Sequence, residues 1–192
     1  MTDIAAASAS RSFGRTLDGL SLGRQALALV VGVGVLTASS YVQVPMQPVP
    51  LTLQTLAVTV IGAAFGWRLG TATVLAWLAA AMAGLPVLAG VTHIVQFAGP
   101  TAGYLAAFPF AAALCGWLAS RGWNGERIGL ALVSMVLGNA LCLAMGAAWL
   151  SVSLGFDTAL AAGVLPFVIG AGIKSAIGAG LLKAFSMWPK RG

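Results

Sequence analysis

Residues 25–67 read QALALVVGVGVLTASSYVQVPMQPVPLTLQTLAVTVIGAAFGW, and no charged side chain interrupts them between Arg24 and Arg68. An interval of this length holds two membrane crossings of roughly 20 residues each. The next interval, from Arg68 to Arg121, is as apolar, with His93 its only acidic or basic side chain, and holds two more. The whole chain follows suit: of 192 residues, 59% are hydrophobic and 7% charged, and the mean hydropathy is +0.97. A soluble domain carries about 25% charged residues, so a water-exposed globular fold is excluded. The expected class is an all-α integral membrane protein.

Turn signals divide the apolar intervals into six predicted spans: Ala26–Val44, Leu51–Trp67, Leu69–Val91, Ala102–Ser120, Ile128–Leu150 and Val164–Phe185. Tyr41–Pro50 (YVQVPMQPVP) carries three prolines, which lack the backbone donor a helix needs, so the first span stops there. Gly66-Trp67-Arg68 is a short break, His93–Gly103 (HIVQFAGPTAG) a Gly/Pro-containing loop, and Arg121–Arg127 (RGWNGER) a charged hairpin turn. The sixth span follows Asp157. Residues 1–24, rich in Ala and Ser, are expected to form a flexible cytoplasmic tail, residues 25–187 the transmembrane domain, and residues 188–192 a second tail. A cleavable leader is the rival reading of Ala26–Ala38, since a short apolar run here ends in small residues. The 24 residues ahead of it are long for a leader, and the run continues through Tyr41 and Val42.

Cations set the orientation, because Lys and Arg in short loops are retained on the cytoplasmic side. Six spans place Arg11, Arg15, Arg24, Arg68, Arg121, Arg127, Lys183, Lys190 and Arg191 all on one side, and the opposite loops hold none. Both termini are therefore expected in the cytoplasm, with the chain in the cell's inner (plasma) membrane. The net charge of +6 follows from this asymmetry and calls for no nucleic acid.

Little in the sequence carries covalent chemistry. His93 stands without a second histidine or nearby carboxylate, and no Gly-x-Ser-x-Gly elbow supplies a nucleophile, so no catalytic residue is assigned. Cys115 and Cys142 fall inside spans, where free cysteine behaves as a small hydrophobe; no disulfide, metal site or cofactor follows from them. Gly170–Ser175 (GAGIKS) is reminiscent of a phosphate loop, but the Lys does not follow a Gly directly and no strand precedes it. An ATPase that powered this chain would have to be another polypeptide.

Two features point to binding instead. The tenth cation, Lys174, lies inside the sixth span, where an ionisable side chain costs about 2.5–3.5 kcal/mol on insertion scales and marks a functional site by default. It is expected to face an anionic or strongly polar solute; snorkelling to the outer interface or pairing with Asp157 are the benign alternatives. Small residues also recur at four-residue spacing, at Gly62/Gly66, Gly66/Gly70 and Gly99/Gly103, where they let helix backbones approach. On span one, Ala28/Gly32 and Gly34/Ala38 repeat this spacing and predict a smooth face for internal packing or for a partner helix.

Val44–Gly66 (VPMQPVPLTLQTLAVTVIGAAFG), Gly84–Ala89 (GLPVLA), Gly99–Tyr104 (GPTAGY) and Pro166–Lys174 (PFVIGAGIK) stand in the order seen in the BioY family, and from about Gln25 to Phe185 the chain resembles it. That family comprises the biotin-specific substrate-capture (S) components of energy-coupling factor (ECF) transporters. The resemblance implies a six-helix S-component bundle that binds biotin near the outer face, beneath the loop joining spans one and two. It implies a membrane coupling protein and cytoplasmic ATPases as partners, and no chemical conversion by this chain. Thr52, Gln54, Gly99, Pro100, Thr101, Tyr104 and Lys174 are the matching candidate biotin contacts. One departure stands out: family members commonly carry Asp three residues before the Lys, and here that residue is Ala171. Asn139, Gln54 or Gln96 is then expected to supply the missing acceptor, with Trp77, Tyr104 and Phe97 as candidate apolar walls. A solitary carrier working without ATPases, and an assembly subunit that binds no solute, are the other functional readings.

Overall fold

The computed structural model describes residues 21–89 and 97–187. The terminal tails at 1–20 and 188–192, together with His93 and Gln96, lie outside the described residues.

Helix α1, Leu22–Tyr41, is succeeded by a two-stranded antiparallel hairpin, β1 (Gln43–Val44) with β2 (Leu51–Thr52), whose register pairs Gln43 with Thr52 and Val44 with Leu51. Pro45, Pro48 and Pro50 occupy the connection, where missing amide donors cost no helix bond. Helices α2 (Gln54–Phe65) and α3 (Trp67–Met82) follow, then α4 (Ala102–Ser120), α5 (Ile128–Leu154), α6 (Phe156–Gly163) and α7 (Leu165–Met187). Seven helices thus appear among the described residues, against six expected, the additional one being α6. Gly155 makes it, because its φ of +81° ends α5 and turns the chain into a new helix.

Four of these helices, α1, α4, α5 and α7, are long and apolar enough to cross a bilayer. The second and third expected spans are cut short. Helix α2 begins only at Gln54 because Leu51 and Thr52 belong to the hairpin, leaving 12 residues, about 18 Å at 1.5 Å per residue. Helix α3 stops at Met82 and not at Val91. Gly84, at φ +88°, donates to the Ala81 carbonyl while Leu85 donates to Ala80. That pair of bonds is the Schellman C-terminus, and Pro86 behind it cannot resume the helix.

The core is apolar, as in a water-soluble protein, but the exterior is apolar too. Large apolar side chains such as Val30, Val152 and Ile169 are mostly exposed, whereas Thr59, Thr73, Ser134, Asn139, Lys174 and Ser175 are buried. In lipid the inside gathers the polar groups and helix contact relies on small residues. Gly62 shows the second point: a Cβ built there would collide with the Ala112 carbonyl oxygen, so α2 and α4 touch backbone to backbone.

The helix ends sort by charge. Hydrogen bonds from Ser40 to Val87 and from Tyr41 to Pro86 bring the end of α1 beside the segment after α3. Trp149 donates to the Gly99 carbonyl, adding the start of α4 and the end of α5 to the same pole as the hairpin. At the opposite pole Gly116 abuts Trp67, and Gly125 abuts Leu182 and Lys183. Arg24, Arg68, Arg121, Arg127 and Lys183 all lie at that second pole. Two of them stack on tryptophans, Arg68 at 5.1 Å over Trp67 and Arg121 at 4.7 Å over Trp117, the pairing of cation and aromatic that favours a membrane surface.

Candidate functional site

At the cation-poor pole the proline-rich hairpin folds over the helix bundle and roofs a narrow cavity, a concave apolar setting with a few polar groups of the kind small-molecule sites use. The hairpin supplies Val49, Pro50 and Thr52, and α2 supplies Gln54 and Thr55. Helix α4 contributes Tyr104, Leu105 and Phe108 behind Thr101; α5 contributes Asn139, Cys142 and Leu143; α7 contributes Phe167, Ala171 and Lys174. Helix periodicity explains the last set, since positions 167, 171 and 174 fall on one face.

Lys174 is 8% exposed. Its ammonium donates to the Thr52 carbonyl at 3.0 Å and to Thr55 Oγ1 at 2.8 Å, which ties α7 to the hairpin and to α2. Neither benign account holds: the group is not solvated, and its partners are these two threonines while Asp157 is exposed on α6. Two of the three ammonium protons are used by these bonds. Thr52 Oγ1 donates to Gln54 Oε1 at 3.2 Å and accepts from the Gln54 amide at 3.3 Å, so the hydroxyl both braces the start of α2 and holds the Gln54 side chain.

Thr52, Gln54, Thr101, Tyr104, Asn139 and Lys174 thus come together around one space. Tyr104 is also a structural clamp, because its hydroxyl donates to the Gly163 carbonyl at 2.7 Å and its ring lies 6.4 Å from that of Phe167. Gly99 and Pro100 do not line the cavity. Gly99 instead accepts from Trp149 Nε1 at 2.9 Å, and Gly103 of the same motif packs so closely on Trp149 that an added Cβ would collide with the Trp149 Cβ. Much of Gly99–Tyr104 is therefore explained by packing of α4 on α5.

Trp77 and Phe97 are not cavity walls. Trp77 is fully buried, donates to the Val87 carbonyl at 3.1 Å and stacks on Phe108 at 6.1 Å; Phe97 packs on the same core. Tyr104 lines the cavity together with Phe108 and Phe167, and the last two could have been found by stepping along the helix from Tyr104 and Lys174. Thr55 was missed as well, although it adjoins Gln54 in the motif.

The smooth face of α1 splits in two. Gly32 is buried, and a Cβ there would meet Thr73 Cγ2 at 2.6 Å and Phe65 Cε2 at 2.9 Å, so it packs internally against α3 and α2. Ala28 beside it is half-buried, whereas Gly34 and Ala38 are exposed. Positions 32 and 34 are separated by about 200° on a helix of 3.6 residues per turn, so the two pairs cannot form one docking surface.

Ala171 faces the cavity one turn before Lys174, so a carboxylate there can reach the ammonium. Ala171→Asp is expected to leave the yield of folded protein within about twofold of wild type by size-exclusion chromatography, as the pair offsets the cost of burying a second charge. Collapse of that yield would mean that the two side chains do not share the cavity.

Comparison with known proteins agrees with this architecture. The sequence model of the BioY family matches residues 12–191. The biotin transporter BioY of Rhizobium etli is 36% identical over 126 residues, covering 62% of this chain and 66% of that protein. The biotin transporter BioY of Thermotoga maritima is 31% identical over 124 residues, covering 64% and 72%. For several such relatives the match spans about half to two thirds of their own length. The crystal structure of an S-component for biotin from an ECF-type ABC transporter superposes with a TM-score of 0.78 at 24% identity, over 89% of this chain and 96% of that one, and so shares its fold. With its multi-pass helical architecture and a match across nearly its whole length, the chain belongs to the BioY family.

Proposed function

We propose that this chain captures biotin at the outer face of the plasma membrane and passes it inward together with an ATP-driven module of the energy-coupling-factor type. The observation that carries the reading is the cavity under the hairpin, with its buried Lys174 and Asn139 set among Tyr104, Phe108 and Phe167. Biotin presents a matching set: an apolar bicycle for the aromatic wall, a ureido group with donors and an acceptor, and a carboxylate for a cation. The chain itself catalyses no reaction, and capture calls for no cofactor or metal.

Topology supports the direction of capture. The cation-rich pole faces the cytoplasm under the positive-inside rule, which turns the hairpin and the cavity outward. In this reading α2 with the hairpin, and α3 with the segment after it, complete six crossings; α6 rests at the outer interface with Phe156 and Leu160 exposed. Residues 1–24 and 188–192 are then cytoplasmic. The coupling protein docks on the outward strip of α1 at Gly34 and Ala38, and the ATPases are separate chains.

Titration of the detergent-purified protein with biotin tests the first half, with saturable one-site binding expected. No binding at millimolar biotin would leave only an assembly role. Uptake of labelled biotin by cells with and without the energising genes tests the second half: uptake undiminished by their loss would make this chain a solitary carrier.

A further inference from the structure

Asn139 is 3% exposed and projects from α5 into the wall of the cavity. Its Nδ2 donates to the Met135 carbonyl at 3.0 Å and to Ser175 Oγ at 3.1 Å. The Ser175 hydroxyl in turn donates to the Ala171 carbonyl at 2.7 Å. These three bonds fix the amide by chemistry. A carbonyl can only accept, and a hydroxyl whose one proton is spent on Ala171 can only accept from its other neighbour. Both protons of Nδ2 are therefore committed, and a flipped amide would set oxygen against the Met135 carbonyl. Oδ1 is left without a protein partner among the described residues, in a side chain that lines the cavity.

We infer that the Met135–Asn139–Ser175–Ala171 chain makes Asn139 an obligate acceptor toward the cavity, so that the site requires a ligand N–H at this position, with Ser175 as the positioning residue. Ser175 is 1% exposed and does not line the cavity; it acts on the ligand only through the amide. An acceptor without charge also leaves Lys174 as the one formal charge among the groups lining the cavity. The site thus divides recognition between a neutral acceptor for an N–H and a cation for a carbonyl or carboxylate oxygen.

The inference rests on the biotin reading, and one experiment separates the two. The full-length protein is titrated with biotin and with two cyclic carbamate analogues, each replacing one ureido N–H by a ring oxygen of similar size. Wild type is expected to bind one analogue about tenfold more weakly than biotin, the scale of one lost hydrogen bond with an acceptor left unpaired. In Ser175→Ala the amide keeps its bond to the Met135 carbonyl but loses the second bond that fixes its tilt toward the cavity, and the gap should shrink below about threefold; Ser175→Thr, which keeps the hydroxyl, should restore it. A purely structural Ser175 would weaken all three ligands alike and leave the gap unchanged, which overturns the inference. Equal binding of biotin and both analogues by wild type overturns it too. Absence of biotin binding by wild type defeats the functional reading itself and the inference with it. If Ser175→Ala gives no folded protein, Ser175→Cys fills nearly the same space with a much weaker hydrogen-bonding group and carries the same comparison.

Discussion

Lys174→Ala lowers the affinity of the purified protein for biotin by about 100-fold while insertion into the membrane is retained or improved. Hydrogen bonds from a charged group contribute about 1.5–3 kcal/mol, and each 1.4 kcal/mol is a factor of ten. The substitution also removes an intramembrane charge and its cost of about 2.5–3.5 kcal/mol on insertion scales, so folded yield should not fall. A second loss accompanies the first: the Thr52 carbonyl and Thr55 Oγ1 forfeit the donor that joins them to α7. Comparing biotin with its methyl ester distinguishes two poses. If the ammonium meets the carboxylate, wild type prefers the acid and Lys174→Ala does not; if it meets the ureido carbonyl, both ligands weaken together. Affinity within twofold of wild type for both would reduce Lys174 to a staple between hairpin and helix.

Gly34→Leu is expected to abolish co-purification with the membrane coupling protein and to leave biotin binding by the isolated chain near wild type. Nothing lies within 4 Å of a Cβ built at Gly34, so the added side chain disturbs only what comes from outside. Gly32→Leu should behave in the opposite way. Its side chain would enter the seam between α1, Thr73 and Phe65, where overpacking costs about 1–3 kcal/mol, and folded yield and biotin affinity should decline together. Were Gly34→Leu to leave partner association intact, Gly34 and Ala38 would lose their proposed role, and α1 would serve the bundle alone.

The membrane class and the main helices were legible because lipid imposes long uncharged intervals and a one-sided distribution of cations, both visible in one dimension. Lys174 was legible for the same reason, as a charge where charge is costly. Helix ends were less so. The Schellman turn at Gly84 and the left-handed turn at Gly155 depend on backbone geometry, and a window of apolar residues does not distinguish a helix that stops from one that continues. Contacts that depend on rotation about a helix axis were legible only where a reference residue existed. Lys174 could have led to Ala171 and Phe167, but Trp77 offered no such anchor, and its ring turns to Phe108 and the Val87 carbonyl. The two halves of the α1 repeat were misjoined because four-residue spacing was read within each pair and not between them.

The chain contains two cysteines, both sealed inside the folded bundle. Cys142 borders the cavity, while Cys115 packs deep between α4 and α5, near the Ser134 carbonyl. With Cys142 at 1% exposure and Cys115 at 0%, a thiol reagent reaches either of them only when the bundle opens. The unmodified polypeptide therefore carries its own gauge of opening: alkylation at Cys115 and Cys142 reports how often the helices part around α4 and around the cavity wall of α5.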